Sequence, residues 1–394
     1  MTTTPTRTTA QGWLRAADAH LEDLLQVLEA QTDHGDYPHA ARVEQQVLMY
    51  DAGALQAAGS DPERRPAVQA EITRALSAGP GIVVVDNAFE AAVVDRVSAA
   101  FQRMIEEQRA AGTAVGDHFA KPGANDRVWN ALEKLAVTDA DAFVDYYAND
   151  VVALVATAWL GPGYQVTSQV NVVNPGGEGQ TVHRDYHLGF QSPEVSAQYP
   201  GHVHALAPAL TLQGAVAHCD MPVESGPTLY LPHSQKYDLG YLAYWLQEFQ
   251  DHFVGHHVQL PLHKGDAVFF NPALFHAAGS NHSADIRRMA NLLQISSAFG
   301  RAMETVDRER VAAAVYPVLL SRKAAGWDER ALANVIAASA EGYAFPTNLD
   351  RDPPIGGMAP PSQATLVARA LAAGASPQQL AERLAAQSAA KLSH

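Results

Sequence analysis

A histidine and an aspartate separated by a single residue, His183 and Asp185, are the side chains of this sequence best suited to chemistry. On an extended strand, residues two positions apart project from the same face, so an imidazole and a carboxylate at this spacing can reach one metal ion. The run Asn174-Pro175-Gly176-Gly177 just upstream would let the chain turn into such a strand. Taken alone this spacing is a weak signal, because it occurs by chance in many proteins.

A third ligand has to come from a distant part of the chain, and His276 is the best candidate. It follows Ala267–Phe270, an apolar run typical of a buried strand. Two histidines and one carboxylate form the face that holds iron in non-heme Fe(II) oxygenases and leaves positions open for a co-substrate and dioxygen. Arg287, which enters the next predicted strand, could clamp the remote end of a dicarboxylate through paired hydrogen bonds. The alternative is a structural role for Arg287, in an ion pair with Asp285 or Glu304.

Histidines are concentrated in the same part of the sequence. Of the 17 histidines, twelve lie in the stretch 183–282. His187 continues the alternation that starts at His183, and we expect it, with His218 and His204, to line a substrate pocket. For each of these three residues, a local hydrogen bond in the protein interior is the ordinary alternative.

The elements that must position these side chains are short strands. From about residue 164 to about residue 299, runs rich in Val, Leu, Phe and Tyr alternate with Pro, Gly, Asn and Ser, which predicts a barrel or jelly roll. The cluster Gly79-Pro80-Gly81 precedes a further buried strand, Ile82–Val85. The strands predicted after it are Val166–Val173, Ala209–Val216, Thr228–Leu231, His256–Leu262, Ala267–Phe270 and Asn291–Ser297.

Helical patterns flank this mainly β core on both sides. An N-cap Ser376 followed by Pro377 opens the last of these helices. The segment Phe345–Pro361 is too rich in Pro and Gly for regular structure and is either a lid over the site or a surface linker. The other predicted helices cover Thr9 to about Ala30, Val43–Leu55, Phe89–Arg109 and Asp139–Leu160, with further helical spacing after Gly300.

Composition argues against several classes of function. The formal charge of −15 disfavours a nucleic-acid or anionic-membrane partner, so we expect a small-molecule substrate. A single cysteine, Cys219, excludes an intramolecular disulfide and a thiolate-rich metal site. No stretch approaches the roughly 18 consecutive apolar residues of a membrane span, and the first residues lack the apolar segment of a secretion signal. We therefore expect a cytoplasmic protein, and the sequence leaves its oligomeric state open.

Three blocks of the sequence resemble the phytanoyl-CoA dioxygenase family of iron- and 2-oxoglutarate-dependent oxygenases. GQTVHRDYH, residues 179–187, resembles the family's Gln-x-x-His-x-Asp block. ESGPTLYLPHSQK, residues 224–236, is similar to its Asn-Gly-Pro-Leu…Pro-Gly-Ser-His-Lys block. HAAGSNHSADIRR, residues 276–288, is similar to its block from the second histidine to a pair of arginines. The order of the blocks and the His-to-Arg spacing agree, and the likeness extends over about residues 78–300.

The resemblance implies a double-stranded β-helix of the cupin-like kind that uses Fe(II), 2-oxoglutarate and O2. It implies that His183, Asp185 and His276 bind the iron. It also implies that Arg287 binds the distal carboxylate of 2-oxoglutarate and that Gln180 contacts the co-substrate or the substrate. Because halogenases similar to this family lack the carboxylate, Asp185 favours hydroxylation or another oxidation over halogenation.

The sequence departs from the family pattern in places that bear on the co-substrate. Ala278 stands where some relatives carry a serine that assists the carboxylate clamp, and Pro232-His233-Ser234 replaces Gly-Ser-His. Strand alternation should point Arg288 away from the side that Arg287 faces. These departures leave the three metal ligands intact and concern the side chains that would contact the co-substrate.

Together these observations predict a dioxygenase that oxidises an unactivated C–H bond of a small molecule and releases succinate and CO2. Hydroxylation is the foremost outcome, with desaturation or another oxidation left open. Its catalytic core is expected at residues 78–300, between a helical extension at 1–77 and a helical region at 301–394. The identity of the substrate cannot be read from the residues. The segments expected to set specificity are Gln191–Leu210, Asp117–Asp126 and Phe345–Pro361.

Two other functions remain open on this sequence. A cupin-like metalloenzyme could use the same metal face, with zinc or manganese, without 2-oxoglutarate, and it would have no use for Arg287. A non-catalytic small-molecule-binding module on a degenerate oxygenase scaffold would have no reason to keep His183, Asp185, His276 and Arg287 together. Iron binding and 2-oxoglutarate turnover distinguish the three functions.

Overall fold

The computed structural model of the chain describes residues 12–113 and 123–394. Residues 9–11 of the predicted first helix and 117–122 of a predicted specificity segment lie outside this description. The described chain forms two units, the first of residues 12–88, 123–127 and 171–292 and the second of residues 89–113, 128–170 and 293–394. In the described part of the chain, no helix has the length and apolar character needed to cross a membrane.

Eleven strands are found in the described residues, and eight of them form one large mixed sheet. The order in this sheet is β1-β2-β3-β9-β6-β11-β5-β4. Strands β2 and β3 run parallel, whereas β9 is antiparallel to both β3 and β6. The strands are β1 (Arg42–Glu44), β2 (Val47–Asp51), β3 (Ile82–Asp86), β4 (Asn125–Val128), β5 (Gln165–Val173), β6 (Thr211–Ala217), β7 (Leu229–Leu231), β8 (Val258–Gln259), β9 (Ala267–Phe270), β10 (Phe275–Ala277) and β11 (Arg288–Ser296).

The remaining three strands form a small antiparallel sheet in the order β10-β7-β8. In its register Tyr230 lies opposite His276. The Tyr230 side chain packs in one apolar cluster with Val84, Val268 and Phe270 of the large sheet, all of them buried. Part of the core of the first unit therefore lies between the two sheets, and His276 is held at its edge.

The sequence prediction is wrong within the N-terminal extension, which was expected to be helical. A helix was expected over Val43–Leu55, but the structure has the hairpin β1–β2 there, and the helix begins only after Asp51. Gln45 and Gln46 make the hairpin turn with φ of 48° and 69°, values usually supplied by Gly or Asn, so no turn signal marks it. Strand β2 is buried on both faces, and such an apolar run cannot be told from a buried helix by periodicity.

Other predicted elements differ mainly in their ends. The first helix is shorter than expected, because Trp13 forms a bridge with Pro200 instead of a helical turn. The helix predicted over Asp139–Leu160 is divided into two, since the Asn149 side chain accepts hydrogen bonds from two backbone N–H groups and starts a new helix. The predicted strands all occur. Ala267–Phe270 has its predicted ends, the other strands have shifted ends, and that at His256–Leu262 is reduced to β8. The predicted division into three regions stays a prediction.

The α-helices begin and end as follows. They are α1 (Leu21–Leu28), α2 (Ala52–Ser60), α3 (Arg65–Ser77), α4 (Ala91–Ala110), α5 (Ala131–Thr138), α6 (Ala140–Tyr147), α7 (Asp150–Leu160), α8 (Pro193–Ser196), α9 (Gly201–Leu206), α10 (Gly240–Ala243), α11 (Gln247–His256), α12 (Arg308–Ala324), α13 (Glu329–Ser339), α14 (Gln363–Ala372) and α15 (Pro377–Lys391). The predicted cap at Ser376 is confirmed, and it forms a full capping box with Gln379. Helices α8 and α9 show that the predicted specificity segment Gln191–Leu210 is structured, while Phe345–Pro361 has neither helix nor strand.

Candidate metal centre

The structure brings the three predicted metal ligands together. One potential ligand atom from each of His183, Asp185 and His276 lies within 4.8 Å of the other two. Nε2 of His183 is 3.8 Å from one oxygen of the Asp185 carboxylate, Oδ1, and Nε2 of His276 is 3.4 Å from the other, Oδ2. The two imidazole rings are 4.4 Å apart between their centroids. Two ring nitrogens and a carboxylate therefore converge on one point.

Backbone hydrogen bonds fix this convergence. His183 and His276 form an isolated antiparallel bridge, in which each backbone N–H donates to the carbonyl of the other, over 2.9 and 3.1 Å. The N–H of Asp185 donates to the carbonyl of Pro272. The segment around His183 is not a regular strand, and the bridge to His276 takes the place of a strand neighbour.

Each histidine is oriented by a hydrogen bond from its other ring nitrogen. Nδ1 of His183 lies 2.9 Å from the carbonyl oxygen of Thr181, and Nδ1 of His276 lies 2.8 Å from that of Leu274. Because a carbonyl can only accept, each Nδ1 carries the proton and each Nε2 keeps its lone pair for a metal. Such bonds hold ligating histidines in one tautomer and one orientation. Two neutral imidazoles and a carboxylate are a donor set that suits Fe(II).

The carboxyl of Asp185 is prepared to stay ionised. Burial by itself raises its pKa, but the charges that His183 and His276 carry when their Nε2 atoms are also protonated, together with hydrogen bonds from His276 and Gln213, outweigh burial and lower the pKa to about 2. At neutral pH the site therefore holds a carboxylate rather than a carboxylic acid, which is the form that binds a cation.

Gln213 is a residue of the site that the sequence analysis missed. It lies on β6, is 6% exposed, and its side-chain Nε2 donates to Oδ2 of Asp185. Its carbonyl oxygen Oε1 is buried and has no hydrogen-bond partner among the described residues. The available signal was a long polar side chain inside a run predicted to be a buried strand.

Arg184, the residue between the two ligands of the motif, is also part of the site's support. Its side chain is buried, at 2% exposure, and it donates to the backbone carbonyls of Ser234 and Tyr237 over 2.6 and 2.9 Å. The guanidinium lies over the rings of Tyr241 and Phe275, about 5 Å from each centroid. Burial lowers the pKa of Arg184 to about 10. The sequence signal was a charged residue directly between two ligands.

The two adjacent arginines face different surroundings, as strand alternation predicts. Arg287 has a side chain 49% exposed, and it contacts Asp126 and Asn174 over 3.3 and 3.2 Å. Arg288 is buried, and its Nη1 donates to the backbone carbonyls of Ser225 and Gly279. Of the two, Arg288 is therefore the buried guanidinium and Arg287 the half-exposed one. The role predicted for Arg287 stays a prediction.

The structure corrects the position of His187. Tyr186 and His187 have φ of 61° and 50°, so the chain leaves the extended conformation directly after Asp185 and starts a 3-10 helix at His187. Strand alternation consequently does not place His187 beside the ligands. Its ring is half-buried, with Nε2 3.4 Å from the hydroxyl of Thr211, and burial lowers its pKa.

The other predicted site residues lie in mixed surroundings. His204 is buried, with Nε2 2.9 Å from the carbonyl of Ser196 and its ring edge-on to Tyr241. These contacts are those of a structural histidine. His218 is buried directly after β6, and its backbone N–H donates to the carbonyl of Met289. Gln180 is exposed beside Ala278, which lies two residues beyond His276. The backbone N–H of Gln180 donates to the carbonyl of Ala278, and the N–H of Ala278 donates to Oε1 of Gln180.

A sequence profile described as phytanoyl-CoA dioxygenase (PhyH) matches residues 78–289, which is more than half of the chain. The chain belongs to the phytanoyl-CoA dioxygenase family. The predicted membership is thereby confirmed, and the predicted cofactors, Fe(II) and 2-oxoglutarate, are those of the family.

Several solved structures are similar to this member of the phytanoyl-CoA dioxygenase family. SnoN, a non-heme α-ketoglutarate-dependent epimerase from nogalamycin biosynthesis, is 20% identical over 60% of this chain and 85% of its own, with a TM-score of 0.42. SnoK, a carbocyclase from the same biosynthesis, is 19% identical over 56% and 80%, with a TM-score of 0.39. AviO1 from Streptomyces viridochromogenes is 18% identical over 59% and 96%, with a TM-score of 0.43. A comparison with curated protein sequences finds no match.

Proposed function

We propose that the protein is an Fe(II)- and 2-oxoglutarate-dependent dioxygenase that hydroxylates an unactivated C–H bond of a small molecule. One atom of O2 would enter the product as a hydroxyl group, and the other would enter succinate as 2-oxoglutarate loses CO2. The observation that carries this proposal is the convergence of two Nε2 atoms and one carboxylate in a family that uses this chemistry. We further propose that residues 78–300 form its double-stranded β-helix core.

His183, Asp185 and His276 would hold the iron. Their Nδ1 hydrogen bonds direct both Nε2 atoms to the metal position, where a metal would displace any proton, and the low pKa of Asp185 keeps its carboxylate ionised. Bound iron supplies the oxidising power of the reaction together with dioxygen and 2-oxoglutarate. The protein's own contribution is to fix three ligands on one side and leave the opposite side to the co-substrate, dioxygen and the substrate.

The far carboxylate of 2-oxoglutarate needs a cation, and two arginines are candidates. Arg287, the residue indicated by the family motif, is half-exposed and already paired with Asp126. Arg288 is buried, and no carboxylate among the described residues pairs with it. It lies near Tyr230, which is opposite His276 in the small sheet. A buried guanidinium without an anion is costly unless a ligand supplies one, so burial and charge favour Arg288.

The other residues predicted to contact the substrate or the co-substrate are candidates that differ in how well their surroundings support that role. His187 closely follows Asp185 in the chain, and its ring is held by Thr211, so it is a candidate for contact with the substrate. Gln180 lies exposed beside the strand that carries His276 and is a candidate for contact with the co-substrate or the substrate. His218 and His204 are buried in local hydrogen bonds or packing, which does not favour a substrate role for them.

The decisive experiment measures succinate formed from 2-oxoglutarate by purified protein with Fe(II) and O2, with and without a chelator. Asp185→Ala and His276→Ala should reduce succinate formation to the level of the chelated enzyme. His202→Gln, which alters an exposed histidine of α9, is the matched control and should leave the rate unchanged. Equal turnover by wild type and both ligand variants would contradict the proposal.

The same measurements separate the two other functions. A cupin-like metalloenzyme would bind metal through the three residues but would neither consume 2-oxoglutarate nor respond to changes at Arg287 or Arg288. A non-catalytic binding module would fail to bind Fe(II) under anaerobic conditions.

A further inference from the structure

We propose that Gln213 is a positioning residue that restricts Asp185 to one metal-binding oxygen and thereby keeps a coordination position open for dioxygen. The inference rests on the proposed function, because it concerns the iron that His183, Asp185 and His276 would bind. It goes beyond that function by giving the enzyme a fourth residue, from a different strand, that decides how the carboxylate binds.

The contacts of Asp185 divide its two carboxylate oxygens unequally. Oδ2 accepts a hydrogen bond from the amide Nε2 of Gln213 and lies 3.4 Å from Nε2 of His276. Oδ1 is not engaged by Gln213 and lies 3.8 Å from Nε2 of His183. Each oxygen thus faces one ligand nitrogen, but only Oδ2 is already occupied by an amide donor, and an oxygen that accepts a hydrogen bond has less electron density to offer a metal. Oδ1 is therefore the oxygen left for the ion.

Gln213 is held rigidly enough to impose this choice. It lies in the middle of β6, between β9 and β11, with Phe270 directly opposite in the register. The ring of Phe270 packs edge-on against His276, with 4.8 Å between ring centroids. The strand pair β6–β9 thus positions Gln213 against Asp185 and Phe270 against His276. A rotation of the Asp185 carboxylate would have to break the bond from Gln213.

Counting coordination positions shows why a single oxygen matters. An octahedral ion bound by two histidines and one carboxylate oxygen keeps three positions open. Two of these are needed by the keto and carboxylate oxygens of 2-oxoglutarate, and the third is left for dioxygen. A carboxylate that binds through both oxygens would take the third position. Loss of Gln213 should therefore permit metal and co-substrate binding while impairing the reaction with O2.

The amide donor of Gln213, and not its oxygen, gives a functional reason for this residue. Its Oε1 is buried with no partner among the described residues, but so is that of Gln235, which donates to the carbonyls of Ser77 and Gly79 rather than to a metal ligand. A methionine of nearly the same shape would fill the space without an unpaired polar atom. A glutamine at this position is explained by its amide N–H group, which donates the hydrogen bond to Asp185.

The test compares Gln213→Met with a matched control, Gln235→Met. Gln235 also donates through Nε2, to the carbonyls of Ser77 and Gly79, and also has a buried Oε1 without a partner. It differs in having no contact with a metal ligand among these bonds. Crystals of wild type and both variants, loaded with Mn(II) alone, show which oxygens of Asp185 bind the ion. Titration with 2-oxoglutarate and O2-dependent succinate formation give the functional consequence.

We expect Asp185 to bind Mn(II) through Oδ1 alone in wild type and in Gln235→Met, and through both oxygens in Gln213→Met. Affinity for 2-oxoglutarate should change less than about threefold, while succinate formation falls at least about tenfold. Binding through both oxygens in wild type would overturn the inference, even if Gln213→Met does not fold. Binding through Oδ1 alone in Gln213→Met would overturn it as well. Absence of Mn(II) from these three residues in wild type would overturn the proposed function together with the inference.

Discussion

The guanidinium of Arg184 lies directly against the α-carbon of Gly240, so that a β-carbon on residue 240 would come within 1.8 Å of the guanidinium carbon. Arg184 cannot swing aside, because it is buried, bonded to two backbone carbonyls and enclosed by aromatic rings. Because Gly240 has no side chain, there is room beside it for Arg184, the charged residue that separates His183 from Asp185 in the sequence. This contact ties the motif to α10, where the hydroxyl of Tyr241 also donates to the carbonyl of Asp185.

The first prediction concerns this pair. Gly240 has no left-handed backbone and begins a helix, so Gly240→Ala would ordinarily be neutral or favourable. Because of the contact with Arg184, we expect it to lower the free energy of unfolding by about 1–3 kcal/mol. In an Arg184→Met background, where the clash is gone, the same change should cost less than about 0.5 kcal/mol. Urea unfolding of the four proteins measures this coupling, and equal costs in both backgrounds would contradict it.

A second prediction concerns metal binding and stability. Because the three ligands are assembled in the folded chain, Mn(II) should bind the native state and not the unfolded state. At about 100 times its dissociation constant it should raise the free energy of unfolding by about 2.7 kcal/mol. Asp185→Ala should remove this effect, and EDTA should reverse it in wild type. Thermal unfolding with and without metal provides the measurement; an undiminished shift in Asp185→Ala would place the metal elsewhere.

A third prediction separates the two arginines. If Arg288 binds the far carboxylate of 2-oxoglutarate, Arg288→Met should weaken co-substrate binding by about 10- to 100-fold, equivalent to about 1.4–2.7 kcal/mol. Removal of an unpaired buried charge should leave the metal-free protein equally stable or more stable. Arg287→Met should change the affinity less than about threefold, since Arg287 is half-exposed and its charge is already paired with Asp126. Anaerobic titration of the Fe(II)-loaded proteins with 2-oxoglutarate measures both affinities. A larger loss of affinity in Arg287→Met would favour Arg287, the residue that the family motif indicates.

A fourth prediction concerns stability at acidic pH. Burial and the nearby charge of Lys236 lower the pKa of His233 to about 4, and the ammonium of Lys236 lies 2.8 Å from its Nδ1. In the unfolded chain the pKa returns to about 6.5, so between about pH 6.5 and 4 the unfolded state binds more protons. Neutral His233 therefore contributes fully to the free energy of unfolding above about pH 6.5, and this contribution is lost as the pH falls towards 4. Its size is on the order of 3 kcal/mol.

His233→Asn tests this prediction, because asparagine tolerates the left-handed backbone at φ 72° and does not titrate. The variant will be less stable at neutral pH, since it loses the bonds to Thr32 and Lys236. Its free energy of unfolding should nevertheless fall less steeply than that of wild type between pH 6.5 and 4. Parallel slopes for the two proteins would show that His233 is not the group responsible.

Local patterns in the sequence identified much of this protein. Ligand types and their spacing indicated His183, Asp185 and His276, which the fold then brings together, and the three motif blocks indicated the family. The strand Ala267–Phe270 was predicted with its observed ends, because an apolar run bounded by breakers is a local signal. The predicted ligand roles themselves await the metal-bound protein.

Only the tertiary structure decided which other side chains meet the three ligands. Gln213 reaches Asp185 because β6 lies beside β9, and that pairing joins residues far apart in the chain. The burial of Arg288 instead of Arg287 depends on which face of β11 meets the core, and two adjacent arginines carry no local signal of direction. The close fit of Arg184 on Gly240 likewise arises between separate segments. A pattern of residue types fixes local conformation, whereas strand pairing and packing between distant segments fix which groups are buried together and which remain exposed.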